Sequence, residues 1–161
     1  MIEIGKLSGV ALALLASCGF AMAAATNVPS VGASPNAGNS PLHDDSAFKA
    51  FHEKAGIDRV AADFVGRIST DPRIAKYFQG VDLQHLNMEL ATQFCYLLGG
   101  PCQYTGRDMK SVHAAMGLGQ DDFNALAEDL QDAMNKEGVA FPVQNRLIAK
   151  LAPMQRVIVT K

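Results

Sequence analysis

The chain has 161 residues, 48% of them hydrophobic, and its 14 Lys and Arg against 16 Asp and Glu leave a net charge of −2. That length suits one domain of about 100–150 residues with a tail. No basic stripe and no interleaving of aromatic and basic residues is present, so the composition excludes the electrostatic footprint of nucleic-acid binding.

Residues 1–25 have the layout of a secretory signal: a weakly charged start with Glu3 and Lys6, then the apolar run Val10 to Ala16. A membrane anchor needs about 20 apolar residues, and Ser17, Cys18 and Gly19 interrupt this stretch. The sequence therefore points to export. Two processing readings compete. Leu15-Ala16-Ser17-Cys18 resembles a bacterial lipobox, which makes Cys18 a candidate lipid anchor, while Ala21-Met22-Ala23 fits the small-x-small site of ordinary signal peptidase. Either places the domain in the periplasm or anchored in a bacterial envelope. Residues 26–45, with Pro29, Pro35 and Pro41 among Ser, Asn and Gly, read as a disordered linker.

Residues 46–161 read as helical throughout, and no stretch alternates as a strand would. A short helix is predicted through Phe48, Phe51 and His52 to about Ala55-Gly56. Ile57, Val60, Ala61, Phe64, Val65 and Ile68 then recur at three- and four-residue spacing. Asp71-Pro72 marks a cap with Pro at the first helical position, opening one tight turn through Tyr77-Phe78 to Gly80. Leu83, Leu86, Leu90, Ala91, Phe94, Leu97 and Leu98 form the next stripe, stopped by Gly99-Gly100-Pro101. A short helix carrying His113 follows. Asp121 and Asp122 open another, with Phe123, Leu126, Leu130 and Met134 on one face. The last helix runs from Val143 to Ile158 with a kink expected at Pro153. The fold class is all-α, and the domain is small for that many helices unless something fills its middle.

His113 lies on an apolar face beside Met109, Val112 and Met116. An imidazole is the commonest transition-metal ligand, although a lone His in an apolar stripe also serves as a hydrogen-bonded core residue. Four Cys or His at zinc spacing are absent. Cys95 and Cys102 can pair in an oxidising compartment, or stand as a buried helical thiol and a loop thiol.

The segment from Leu98-Gly-Gly-Pro through Tyr104-Thr-Gly-Arg-Asp-Met-Lys-Ser-Val-His113 resembles the distinctive segment of group 1 truncated haemoglobins. Asp63-Phe64, Asp71-Pro72-Arg73, Tyr77-Phe78 and the Phe123 to Leu130 helix are similar too, so the resemblance covers about residues 47–159. It implies a truncated globin, a two-over-two helical sandwich around a b-type haem with His113 as the iron ligand. No Cys-x-x-Cys-His supports covalent attachment. By the same resemblance Phe78 packs against the porphyrin, and Met109 and Val112 line the proximal side. Arg107 and Lys110 are either propionate partners through charge-assisted bonds or solvated loop residues. Tyr104 packs at the haem edge or closes the loop.

The distal side departs from the family pattern. Val65 stands where many members have Tyr, Leu90 where Gln is common, and Leu86 at the gate, which together imply an apolar pocket. Gln93 is the one candidate hydrogen-bond donor, against a reading as a helix-surface amide. His85 is a candidate sixth ligand, but one helical residue turns about 100°, so His85 and Leu86 do not both face the iron. His52 stands where the family often has an aromatic, and core packing is its expected role. The implied function is binding of oxygen, nitric oxide or carbon monoxide at a pentacoordinate haem, with oxygen transport as one use and an unidentified reductase as a partner. Nitric oxide dioxygenation is expected to be weak, because it needs a hydrogen-bonded oxygen. Two alternatives remain: haem-based electron transfer, and a haem-free helical lipoprotein domain that binds a partner and in which His113 is structural.

Overall fold

The computed structural model describes residues 34–161. The expected signal segment, the candidate lipid anchor Cys18 and the first part of the expected linker lie outside the described residues. Seven α-helices follow in order: α1 (Ser46–Ala50), α2 (Glu53–Ile68), α3 (Leu83–Leu97), α4 (Met109–His113), α5 (Gln120–Lys136), α6 (Phe141–Leu151) and α7 (Gln155–Ile158). Single 3₁₀ turns at Pro35–Ala37, Ala75–Phe78 and Ala152–Met154 complete the regular structure. The fold is all-α; extended pairing among the described residues is confined to one bridge between Leu118 and Val159.

The core is where the stripes meet. α2 packs on α3 and on α5, and α5 packs on α6. From α2 come Ile57, Val60, Ala61, Phe64 and Ile68, from α3 Ala91, Phe94 and Leu97, from α5 Leu130, Ala133 and Met134, and from α6 Leu147. The rings of Phe64 and Phe94 sit 6.2 Å apart, tilted by 39°, an aromatic pair that fixes α2 against α3. Pro153 ends α6 in the 3₁₀ turn before α7, the expected kink.

One helix boundary differs from expectation. The first helix stops at Ala50, and the chain reverses through His52 and Glu53, whose φ values are 60° and 57°. Gly56 belongs to α2 rather than to a helix end. A Cβ there would fall 1.9 Å from the Phe51 carbonyl oxygen, so the reversal needs glycine. Phe51 takes the buried place at 1% exposure, and His52, expected in the core, is exposed.

The larger correction concerns residues 34–45, read from composition as part of a disordered linker. They form an arm packed on the domain. Ala37 is fully buried, Ser34 N donates to Tyr96 Oη at 3.2 Å, and Leu42 N donates to the Leu97 carbonyl at 2.9 Å. Ser34 Oγ accepts from Tyr104 N at 3.0 Å, and Asn39 Nδ2 donates to the Lys150 carbonyl at 3.0 Å. Gly99, which ends α3 at φ +80°, lets the arm pass: a Cβ there would lie 2.4 Å from Asp44 O. The segment lacks a core of its own but finds its partners on α3, the following loop and α6.

Cys95 and Cys102 form a disulfide with Cα atoms 5.8 Å apart. It ties the end of α3 to the loop that leads into α4. Thiol titration of the unfolded, unreduced protein is expected to find no thiol from this pair. Reduction should lower stability by roughly 2–3 kcal/mol on the loop-entropy relation for so short a loop. Two reactive thiols at Cys95 and Cys102 would contradict the bridge.

Candidate functional site

α4 is only five residues long, too short to hold itself in water, and its position depends on its ends. Asp108 caps it: Oδ1 accepts from Ser111 N at 3.0 Å, and Oδ2 accepts from Ser111 Oγ at 2.5 Å. These bonds, the hydroxyl's first, hold the Asp108 carboxyl below the usual carboxylate range. At the other end His113 turns its Nδ1 back to the Met109 carbonyl, 2.6 Å away. A carbonyl only accepts, so Nδ1 carries the proton and Nε2 keeps a free lone pair. An imidazole oriented in this way is prepared for a metal.

His113 lines an open cleft whose space, mouth included, comes to about 1090 Å³. The walls are apolar: Phe64 and Ile68 of α2, Phe78, Leu86 and Leu90 before and on α3, Met109, and Leu126 and Leu130 of α5. Among the described residues no cluster of three or more His, Cys, Asp or Glu is arranged to hold an ion. A single imidazole facing a large apolar cleft suits a metal that brings its own equatorial ligands.

Besides His113, polar side chains in the lining are few, and their N–H and O–H groups are committed to the protein. The Tyr77 hydroxyl donates to Asp122 Oδ2 at 2.9 Å, and the same oxygen accepts from Gly119 N at 2.9 Å. Gln93, 3% exposed, donates from Nε2 to the Ala37 carbonyl at 2.9 Å and to Met109 Sδ at 3.5 Å. Ala37 O can only accept, which fixes the amide's orientation and uses both its N–H groups.

The structure brings His113, Phe78, Met109, Leu86 and Leu90 together on the cleft. Val65 is buried at 5% exposure but does not line it; Phe64, one residue back and about 100° around the helix, does. Val112 is 37% exposed and turned away. Arg107 and Lys110 are exposed beside α4 and outside the lining. Tyr104 closes the loop instead of the cleft: its hydroxyl donates to the Arg107 carbonyl at 3.0 Å. The His85 side chain is 65% exposed, faces Glu89 at 3.9 Å and is not part of the cleft.

Gln93 is a buried lining residue rather than a surface amide. Its place was readable from spacing, since 86, 90, 93 and 97 share a helical face. The Tyr77–Asp122 pair has no such signal, because 45 residues separate its members.

The family model described as bacterial-like globin matches residues 46–160. A group 1 truncated hemoglobin, GlbN, of a Nostoc species is 31% identical over 105 residues, covering 65% of this chain and 89% of that protein. GlbN of Mycolicibacterium paratuberculosis is 30% identical over 104 residues, covering 65% and 76%. Among solved structures, truncated hemoglobin of Tetrahymena pyriformis in its Fe(III) form superposes with a TM-score of 0.68 at 23% identity, over 71% of this chain and 98% of that one. The 2/2 hemoglobin of a Synechococcus species gives 0.64 at 21%, over 70% and 98%. At these identities the structural likeness speaks for the fold.

The Asp122 carboxyl is held below its ordinary 3.8 first by the Gly119 N–H, against burial that pushes it up, and then by the Tyr77 hydroxyl. Folding lowers its pKa, so its contribution to stability is complete above 3.8 and is lost as pH falls through the lower folded value. Asp122→Asn is expected to flatten that part of the acid limb. Denaturant midpoints between about pH 5 and 2 check it; equal acid sensitivity in both chains would count against the assignment.

Proposed function

Because the chain belongs to the bacterial-like globin family, as a truncated globin, we propose that it holds a b-type haem through His113 and binds diatomic gases at a pentacoordinate iron. The observation that carries this reading is the His113 imidazole, tied at Nδ1 to Met109 and free at Nε2 on the wall of a large apolar cleft.

The residues present fit that group. Phe78, Leu86, Leu90, Met109 and Phe64 offer flat apolar contact and keep water from the cleft. Arg107 and Lys110 stand beside α4 at the surface, where cations can meet carboxylates without burial. When bound, haem would supply an iron able to take up a small gas molecule reversibly.

The character of the pocket comes from what its side chains withhold. Among the described residues, Tyr77 and Gln93 carry the only N–H or O–H groups that tyrosine or amide side chains bring to the lining, and both are spent on protein acceptors. Gases that rely on a donated hydrogen bond are therefore held less firmly than those that do not. This favours binding or sensing over nitric oxide dioxygenation. The exposed position of His85 speaks against a second imidazole on the iron, and so against the electron-transfer reading.

Haem titration of the purified protein tests the proposal. The wild type is expected to take up haem with an intense Soret band, and His113→Ala should abolish or grossly alter it. A protein that stays colourless after haem addition overturns the reading.

A further inference from the structure

Met109 stands between two bonds that belong to different parts of the fold. Its carbonyl accepts from His113 Nδ1 at 2.6 Å, and its sulfur accepts from Gln93 Nε2 at 3.5 Å. Gln93 lies on α3 and lines the same cleft as Met109, and its other N–H goes to the Ala37 carbonyl at 2.9 Å. Ala37 is fully exposed to none of the solvent, at 0%, and belongs to the arm that precedes the globin match. The bonds form one chain: arm carbonyl, Gln93 amide, Met109, His113 imidazole.

We propose that Gln93 is a positioning residue for the His113 imidazole, acting through Met109, with the Ala37 carbonyl of the arm holding the amide in place. The physical reason lies in α4. A five-residue helix cannot keep its own register. Its first residue must be fixed from outside if that residue's carbonyl is to orient an imidazole one turn later. Asp108 caps the backbone, but its partners are Ser111 N and Oγ, within the same turn. α4 packs on α7, and Gln93 adds the hydrogen bond that ties the first residue of α4 to α3. A buried amide with both donors satisfied and nine-tenths of its surface covered resists displacement, because leaving either N–H without a partner there is costly. The arm thus contributes to the site without lining it, and an amide that distal chemistry would use is turned to the proximal ligand instead.

This inference rests on the haem reading for its consequence, but not for its test. Histidine labelled with nitrogen-15 reports the His113 imidazole in the haem-free chain, where the wild type is expected to show the Nδ1–H form. Gln93→Leu and Met109→Leu, the latter keeping size but removing the sulfur, should each lose that signature. Gln144→Leu is the control. It removes another buried amide, bonded to Asn135 Oδ1 and the Val139 carbonyl at 2.7 Å each, and should leave His113 unchanged. In haem-loaded protein the iron–imidazole stretching band should shift in the first two variants and not in the control. An unchanged imidazole signal in Gln93→Leu and Met109→Leu overturns the proposal, as does an equal change in Gln144→Leu. Failure of the wild type to take up haem overturns the haem reading alone and leaves the haem-free measurement to decide this one.

Discussion

The bond from His113 Nδ1 to the Met109 carbonyl joins the side chain that faces the cleft to the first residue of the helix that carries it. It sets the tautomer, and with it the direction in which the lone pair is offered. Little in α4 itself could maintain this geometry. The helix is short, half-exposed and flanked by loop, so its orientation is borrowed from Asp108, from Gln93 and from the disulfide-tied segment that delivers it. The domain is organised to hold one imidazole steady at the edge of a space it does not fill.

That space explains the remaining features. The stripes on α2, α3, α5 and α6 meet in one core, and beside it they leave a cleft lined by Phe64, Leu90, Leu126 and Ile148. An open apolar cleft in so small a domain is unfavourable alone, and it is stable when a large flat apolar group occupies it. The polar groups that border it are each satisfied inside the protein, Tyr77 by Asp122 and Gln93 by the arm and Met109. Burying them otherwise would leave donors without partners. The same satisfaction makes the pocket poor in free donors. Stability of the walls and weakness toward polar ligands are one property seen from two sides.

Much of this was legible in the sequence, for reasons specific to the residues. Three- and four-residue spacing placed α2, α3 and α5, because an amphipathic helix repeats its core contacts every turn. Gly99-Gly100 and Pro153 marked a stop and a kink where the structure has them. The short His-bearing helix was readable from the segment around His113. What failed depended on long-range partners. Residues 34–45 look like linker because composition reports what a segment can bury by itself, and the acceptors at Tyr96, Leu97 and Lys150 lie far along the chain. Val65 is expected at the cleft because the resemblance puts it where many members have Tyr, whereas the structure turns Phe64, paired with Phe94, to the cleft. The reversal at His52 and Glu53 carries no Gly or Pro turn signature; His is enriched at positive φ among non-glycine residues, but Glu is not.

On the proposed haem reading, no described residue offers a free amide or hydroxyl donor on the wall formed by Leu86 and Leu90, and oxygen release from the haem-loaded chain measures this directly. Leu90→Gln places an amide on that wall. A hydrogen bond to a charged acceptor is worth about 1.5–3 kcal/mol, which converts to roughly ten- to a hundredfold in rate at about 1.4 kcal/mol per decade. The account predicts that the variant releases oxygen at least about tenfold more slowly than the wild type, with carbon monoxide release nearly unchanged. Equal oxygen release in the two proteins would contradict it, because a donor would then already be serving the wild-type pocket.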